Sequence, residues 1–125
     1  MKAITGGKIV AGRTWLGGMV LLFDGRVLDI LPEGELPAGV ETLDAEGAWI
    51  VPGFVDIHVH GVCGVDTMDG VAESLSAIAG GLAAHGVTAF CPTTMTMDEA
   101  RIEAALDAVE AAKNTPPNGA RVLGA

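Results

Sequence analysis

The spacing of the apolar residues changes at Pro52-Gly53, and this change restricts the folds that are open to the chain. Before it, short apolar runs are separated by Gly and Pro, a pattern typical of strands joined by turns. After it, strand patterns alternate with helical spacing in the order β-α-β-α-β, ending with a strand pattern at residues 121–125. Because parallel strands need crossover helices, this order predicts an α/β fold with a helix-covered parallel sheet.

The first predicted domain, residues 1–52, is rich in strands. Two of its apolar runs, Met19 to Phe23 and Arg26 to Leu31, flank Asp24-Gly25. That dipeptide predicts a hairpin with a type I′ turn, in which both central residues have a positive φ angle. Further short strands are expected before and after the hairpin.

The second predicted domain, residues 53–125, contains two helices. The first is predicted to end at His85-Gly86, because glycine suits the left-handed position after a helix C-terminus. His85 is expected to interact with the dipole of this helix. The second helix is predicted to begin at Thr96, because Thr96 and Glu99 have the spacing of a capping box.

Charge and aromatic content argue against nucleic-acid and membrane partners. The chain has 7 basic and 16 acidic residues, a formal charge of −9, three Phe, two Trp and no Tyr. It offers neither a basic patch for phosphates nor a stacking platform for bases, and anionic membranes are disfavoured for the same reason. The N-terminal residues lack the apolar core of a signal peptide, so we expect a cytoplasmic protein in which Cys63 and Cys91 are reduced.

Two histidines end the strand pattern of residues 54–60. The residues alternate, so that one face carries Val55, Ile57 and Val59 and the other carries Asp56, His58 and His60. If helices cover the apolar face, the histidines point into a barrel at the C-terminal end of its strand, where such barrels have their active sites. Two neighbouring imidazoles can hold one metal ion, and Asp56 is placed to orient a ligand. The alternative is a pair of core histidines with hydrogen-bond partners.

Three polar residues that follow the histidines have simpler explanations. Cys63 is expected to be a loop thiol, because thiolate ligation needs a geometry that the sequence does not show. Asp66 and Asp69 are expected to cap a loop or a helix start. The sequence therefore leaves His58 and His60 as the candidate metal ligands, and it does not separate zinc from iron or manganese.

The segment from Leu43 to Gly61 resembles the opening of an amidohydrolase-superfamily enzyme. Residues 61–69, 86–96 and 121–125 are similar to segments of the N-acetylglucosamine-6-phosphate deacetylase family, so that the resemblance covers nearly the whole chain. It implies that residues 1–52 form part of a small β-sandwich domain. It also implies that residues 53–125 form the first strands and helices of a metal-dependent (β/α)8 TIM-like barrel, incomplete in this chain.

The resemblance further implies the chemistry of a longer protein. His58 and His60 would be ligands of one or two divalent ions, zinc above all, with iron or manganese as alternatives. The reaction would convert N-acetylglucosamine 6-phosphate to glucosamine 6-phosphate and acetate, and the longer protein would be a homodimer. Since the catalytic aspartate and a metal-binding glutamate would follow Ala125, no catalytic residue is expected within the chain. The chain alone is expected to be inactive.

Two other functions remain open at this point. A different amidohydrolase, such as a dihydroorotase-like or N-acyl-amino-acid hydrolase, would use the same pair of histidines. A non-catalytic α/β interaction module would instead bind a partner through an open sheet edge and would not need a metal.

Overall fold

The computed structural model describes residues 1–125, and they divide into two compact units, Met1–Pro52 and Gly53–Ala125. The first unit consists of strands and one short 3-10 turn at Glu33–Glu35. The second combines strands with two α-helices. No helix of the structure has the length and apolar character needed to cross a membrane. The predicted mixed α/β class is confirmed.

Seven short strands build the first unit. They are β1 (Lys2–Thr5), β2 (Lys8–Ala11), β3 (Thr14–Leu16), β4 (Met19–Phe23), β5 (Val27–Pro32), β6 (Glu41–Asp44) and β7 (Trp49–Ile50). One sheet has the strand order β5-β4-β1-β6, and the other has the order β3-β2-β7. The buried side chains come from both sheets, with Ala3 and Val20 from one and Ile9 from the other.

The hairpin between β4 and β5 is present, but its turn differs from the prediction. Three residues, Asp24 to Arg26, connect the strands, and the Asp24 N–H donates to the Arg26 carbonyl at 2.9 Å. Only Gly25 has a positive φ, of 67°. The pairing shifts register between Leu22 and Phe23. The type I′ prediction is therefore wrong, since a longer loop with a bulge closes the same two strands.

The second unit contains a parallel sheet and a separate small hairpin. Its elements are β8 (Phe54–Val59), β9 (Gly61–Val62), β10 (Val65–Asp66), a short 3-10 helix (Thr67–Asp69), α1 (Ala72–Ala83), β11 (Val87–Pro92), α2 (Glu99–Asn114) and β12 (Arg121–Val122). The three-stranded sheet has the order β12-β11-β8, and β11 runs parallel to both neighbours. The antiparallel strands β9 and β10 form the hairpin.

The core of the second unit is centred on Phe90 of the middle strand β11. Phe90 is fully buried, and the same cluster contains Leu75 and Ile78 of α1, Val109 of α2 and Val122 of β12. A central parallel strand is expected to carry such a side chain, because its neighbours and the covering helices exclude water. Burying a side chain of this kind stabilises the fold by about 1.5–3 kcal/mol.

The two helix boundaries agree with the sequence prediction to different degrees. After α1, Gly86 adopts a positive φ of 82° and its N–H donates to the Ala83 carbonyl, as expected for a residue that ends a helix. The prediction that Thr96 caps α2 is wrong. Asp98 is the capping residue, and its carboxylate accepts the Arg101 N–H at 3.1 Å. Both residues are of a capping type, so the sequence did not discriminate between them.

Candidate metal centre

His58 and His60 lie at the C-terminal end of β8. Their ring centroids are 5.0 Å apart, and the ring planes make an angle of 89°. A zinc ion sits about 2.0–2.1 Å from a ligating imidazole nitrogen, so two rings on one tetrahedral ion have centres about 5 Å apart. The observed separation of 5.0 Å therefore fits two ligands of a single ion.

The two imidazoles have no third candidate ligand beside them. No group of three or more His, Cys, Asp or Glu side chains is close enough to hold a metal ion. Structural and catalytic zinc sites use at least three protein ligands. Two imidazoles alone would therefore make up only part of a zinc ligand set.

The His60 ring is held by a hydrogen bond to the neighbouring strand end. Its Nδ1 atom lies 2.9 Å from the carbonyl oxygen of Thr93, the residue directly after β11. A carbonyl oxygen only accepts hydrogen bonds, so Nδ1 carries the proton and the lone pair of the neutral ring is on Nε2. This is the tautomer that a metal ligand needs when it binds through Nε2.

His58 and Asp56 are arranged differently from the sequence-based expectation. The Asp56 carboxylate accepts the backbone N–H of His58 at 3.0 Å, and it forms no hydrogen bond to either imidazole. The His58 side chain is exposed and its ring forms no hydrogen bond. The Asp56 carboxylate therefore binds the backbone of β8 and neither histidine ring.

The apolar face of β8 is covered only in part. Val59 packs against the core, but Val55 is 55% exposed and Ile57 is 76% exposed. The helices of this chain therefore cover the Val59 end of that face and leave Val55 and Ile57 open. The physical reason is that β8 is an edge strand, while the core of the unit is centred on β11.

The acidic residues that follow the histidines have the capping role predicted for them. The Asp66 carboxylate accepts the Met68 N–H, and the Asp69 carboxylate accepts the Asp66 N–H at 2.9 Å and the Ser74 hydroxyl at 2.8 Å. The pKa of Asp69 is lowered below its usual value of 3.8. The main cause is the hydrogen bond from the Asp66 N–H, and the second is the hydrogen bond from the Ser74 hydroxyl. Beside them the Thr67 hydroxyl is buried without a hydrogen-bond partner, and nothing in the structure accounts for it.

Cys63 lies in a hairpin turn that was not predicted from the sequence. Cys63 and Gly64 connect β9 to β10, and both have a positive φ, of 58° and 79°. This is the backbone of a two-residue hairpin turn, and the glycine is its signal in the sequence. Cys63 is exposed, Cys91 is partly buried, and both are free thiols.

Curated relatives match most of the chain. It is 45% identical over 76 residues to the N-acetylglucosamine-6-phosphate deacetylase of Vibrio furnissii, covering 61% of the chain and 19% of that protein. With the human N-acetylglucosamine-6-phosphate deacetylase it is 32% identical over 130 residues, covering 98% of the chain and 30% of the relative. With the N-acetylgalactosamine-6-phosphate deacetylase of Escherichia coli O157:H7 it is 35% identical over 118 residues, covering 94% and 30%. The chain thus spans less than a third of the length of these relatives.

The fold is also found in a solved structure. The crystal structure of the N-acetylglucosamine-6-phosphate deacetylase from Pasteurella multocida matches with a TM-score of 0.88 at 24% sequence identity, covering 95% of this chain and 32% of that one. At this identity the match shows the fold alone. No protein-family model matches the chain.

The fold and these matches relate the chain to the amidohydrolase superfamily. Its relatives there include the N-acetylglucosamine-6-phosphate deacetylases, and the human sequence matches 98% of the chain. The resemblance inferred from the sequence is confirmed.

Proposed function

We propose that this chain forms the amino-terminal part of a metal-dependent deacetylase that hydrolyses N-acetylglucosamine 6-phosphate to glucosamine 6-phosphate and acetate. The observation that carries the proposal is the pair of imidazoles 5.0 Å apart at the C-terminal end of a parallel strand, in a chain related to enzymes named for this reaction. The C-terminal ends of parallel strands are where barrel enzymes have their active sites.

The two units fit the domains that this proposal requires. We assign Met1–Pro52 to a small β-sandwich domain, supported by its two sheets, each of which contributes buried side chains. We assign Gly53–Ala125 to the first three strands and two helices of a (β/α)8 barrel, which takes about 250 residues in full. The exposed apolar side chains of β8, Val55 and Ile57, would be covered by the later elements of that barrel.

His58 and His60 would bind a divalent ion, for which zinc is the first choice and iron or manganese the alternatives. A bound ion of this type supplies a Lewis acid for the acetamide carbonyl and lowers the pKa of a water molecule. His60 contributes a ring whose Nδ1 is engaged by the Thr93 carbonyl, which leaves Nε2 for the ion. The remaining ligands and the general base would come from outside residues 1–125, because the chain holds no third ligand beside the imidazoles.

A second substrate of the same chemical class is supported by one observation. The chain is related to an N-acetylgalactosamine-6-phosphate deacetylase as well, and N-acetylgalactosamine differs from N-acetylglucosamine only in the configuration of one hydroxyl. Other amidohydrolase reactions would use the same histidines. We further propose that the complete protein is cytoplasmic and homodimeric.

The proposed function is tested with the complete gene product. We expect acetate release from N-acetylglucosamine 6-phosphate that exceeds release from the galactosamine epimer and from an N-acyl amino acid. Chelation should abolish this activity, and zinc should restore it. A chelator-resistant protein, or one without activity on any of the three compounds, would contradict the proposal. Residues 1–125 alone should release no acetate.

A further inference from the structure

Thr93 uses its backbone and its side chain to join the end of β8 to the end of β11. Its N–H donates to the Val59 carbonyl at 2.8 Å, and its hydroxyl oxygen accepts the Val59 N–H at 3.2 Å. The same hydroxyl donates to the Cys91 carbonyl at 3.2 Å. Its own carbonyl accepts the hydrogen bond from His60 Nδ1 at 2.9 Å. One residue thus holds both the backbone before His60 and the His60 ring.

The hydroxyl group makes Thr93 different from other β-branched residues at this position. Only a hydroxyl can accept the Val59 N–H and donate to the Cys91 carbonyl at the same time, and valine, which has nearly the same shape, can do neither. These two contacts determine where the Thr93 carbonyl lies relative to Val59 and therefore relative to His60.

The two histidines are held to different degrees. His60 is half-buried, its ring is bound to the Thr93 carbonyl, and its own carbonyl accepts the Thr67 N–H at 2.7 Å. His58 is exposed, and its ring has no hydrogen-bond partner. His60 is therefore the ligand whose tautomer the chain itself fixes before an ion binds.

We propose that Thr93 is the positioning residue of the metal centre: its carbonyl selects the Nδ1–H tautomer of His60, and its hydroxyl keeps that carbonyl in place. The metal-binding consequence rests on the proposed function, whereas the tautomer of His60 does not. If Thr93 only stabilised the fold, its replacement would lower the free energy of unfolding without changing the tautomer of the His60 ring.

The test compares Thr93→Val, which removes the hydroxyl and keeps the shape, with Thr93→Ser, which keeps the hydroxyl. Thr94→Val is the matched control, because Thr94 is the next residue, is equally half-buried and has no side-chain hydrogen bond. The complete gene product is labelled with 15N in histidine, freed of metal and measured by NMR at about pH 8.5, where imidazole is neutral. A His60→Ala variant assigns the signal of the His60 ring.

We expect the Nδ1–H tautomer of His60 in the wild type, Thr93→Ser and Thr94→Val, and a mixture of tautomers in Thr93→Val. The zinc dissociation constant should rise about tenfold in Thr93→Val alone, as is typical when the partner of a ligating histidine is lost. An Nε2–H tautomer in the folded wild type would overturn the proposal without any variant, and so would a Thr93→Val protein with unchanged tautomer and unchanged zinc affinity. If the tautomer of His60 changes in Thr93→Val but the wild type binds no zinc, the role of Thr93 in holding the His60 ring stands and the proposed function fails.

Discussion

The imidazole rings of His58 and His60 lie 5.0 Å apart and nearly perpendicular to each other at the end of one strand. Two rings so placed fit a shared ion, and under the proposed function each replacement would remove one nitrogen ligand. We expect His58→Ala and His60→Ala each to weaken zinc binding by the complete gene product at least about tenfold. Elemental analysis after dialysis and titration with zinc would measure the change.

His85 provides the control for this prediction. It is the third histidine of the chain, and it is exposed. It lies between α1 and the start of β11, at the N-terminal end of the parallel strands, whereas the candidate ligands lie at their C-terminal end. His85→Ala should bind as much zinc as the wild type. If the His58 and His60 variants also retained the full zinc content, both histidines would be structural residues.

Sequence periodicity predicted the elements that carry a core. β8 and β11 have clear apolar patterns, and α1 shows helical spacing, so their types and order followed from the residues. β6, in contrast, has no buried side chain along Glu41–Asp44. It is held by backbone pairing with β1, and backbone pairing leaves no apolar alternation in the sequence.

Only the side chains of the candidate site could be predicted from the sequence. The alternation of residues 54–60 was enough to select His58 and His60 as candidate ligands. The partner of the His60 ring is a backbone carbonyl, which every residue has, so no residue type could indicate it. Thr93 could have been predicted from topology alone, because it directly follows β11, the parallel neighbour of β8, at the same end of the sheet as His60.

Phe90 and Phe54 lie on neighbouring strands and differ in burial. Phe90 is fully buried, whereas Phe54 is 60% exposed. We expect Phe90→Ala to lower the free energy of unfolding by about 3–5 kcal/mol, because it leaves a cavity among α1, α2 and β12. Phe54→Ala should lower it by about 1 kcal/mol or less. Denaturant unfolding followed by the helical circular dichroism signal reports on this unit, which contains both α-helices of the chain. Equal losses in the two variants would contradict the description of the core.

The adjacent glycines of α1, Gly80 and Gly81, should respond differently to replacement by alanine. A Cβ at Gly80 would meet no atom within 4 Å, so Gly80→Ala should raise the free energy of unfolding by about 1 kcal/mol through helix propensity. A Cβ at Gly81 would lie 2.7 Å from Cys63 Sγ and 3.1 Å from a methyl carbon of Val62. Gly81→Ala should therefore lose part of this gain, because the Cys63 side chain must rotate away and the Val62 side chain must give way. Double replacement with Cys63→Gly should restore part of it, and a Gly81→Ala protein as stable as Gly80→Ala would show that the hairpin does not contact the helix closely.

Asp69 should make the stability of the second unit depend on pH in the acid range. Hydrogen bonds from the Asp66 N–H and the Ser74 hydroxyl lower its pKa in the folded protein below the usual 3.8. Because the folded pKa is lowered, this contribution to stability is complete above the unfolded pKa and is lost as the pH falls through the folded pKa. The difference in unfolding free energy between wild type and Asp69→Asn should therefore be largest at neutral pH and shrink below about pH 4. Asp107→Asn, at an exposed position of α2 without a hydrogen bond, is the control and should shift stability little at any pH. If the difference in unfolding free energy between wild type and Asp69→Asn stayed constant from neutral to strongly acidic pH, these hydrogen bonds would not stabilise the ionised Asp69 carboxylate.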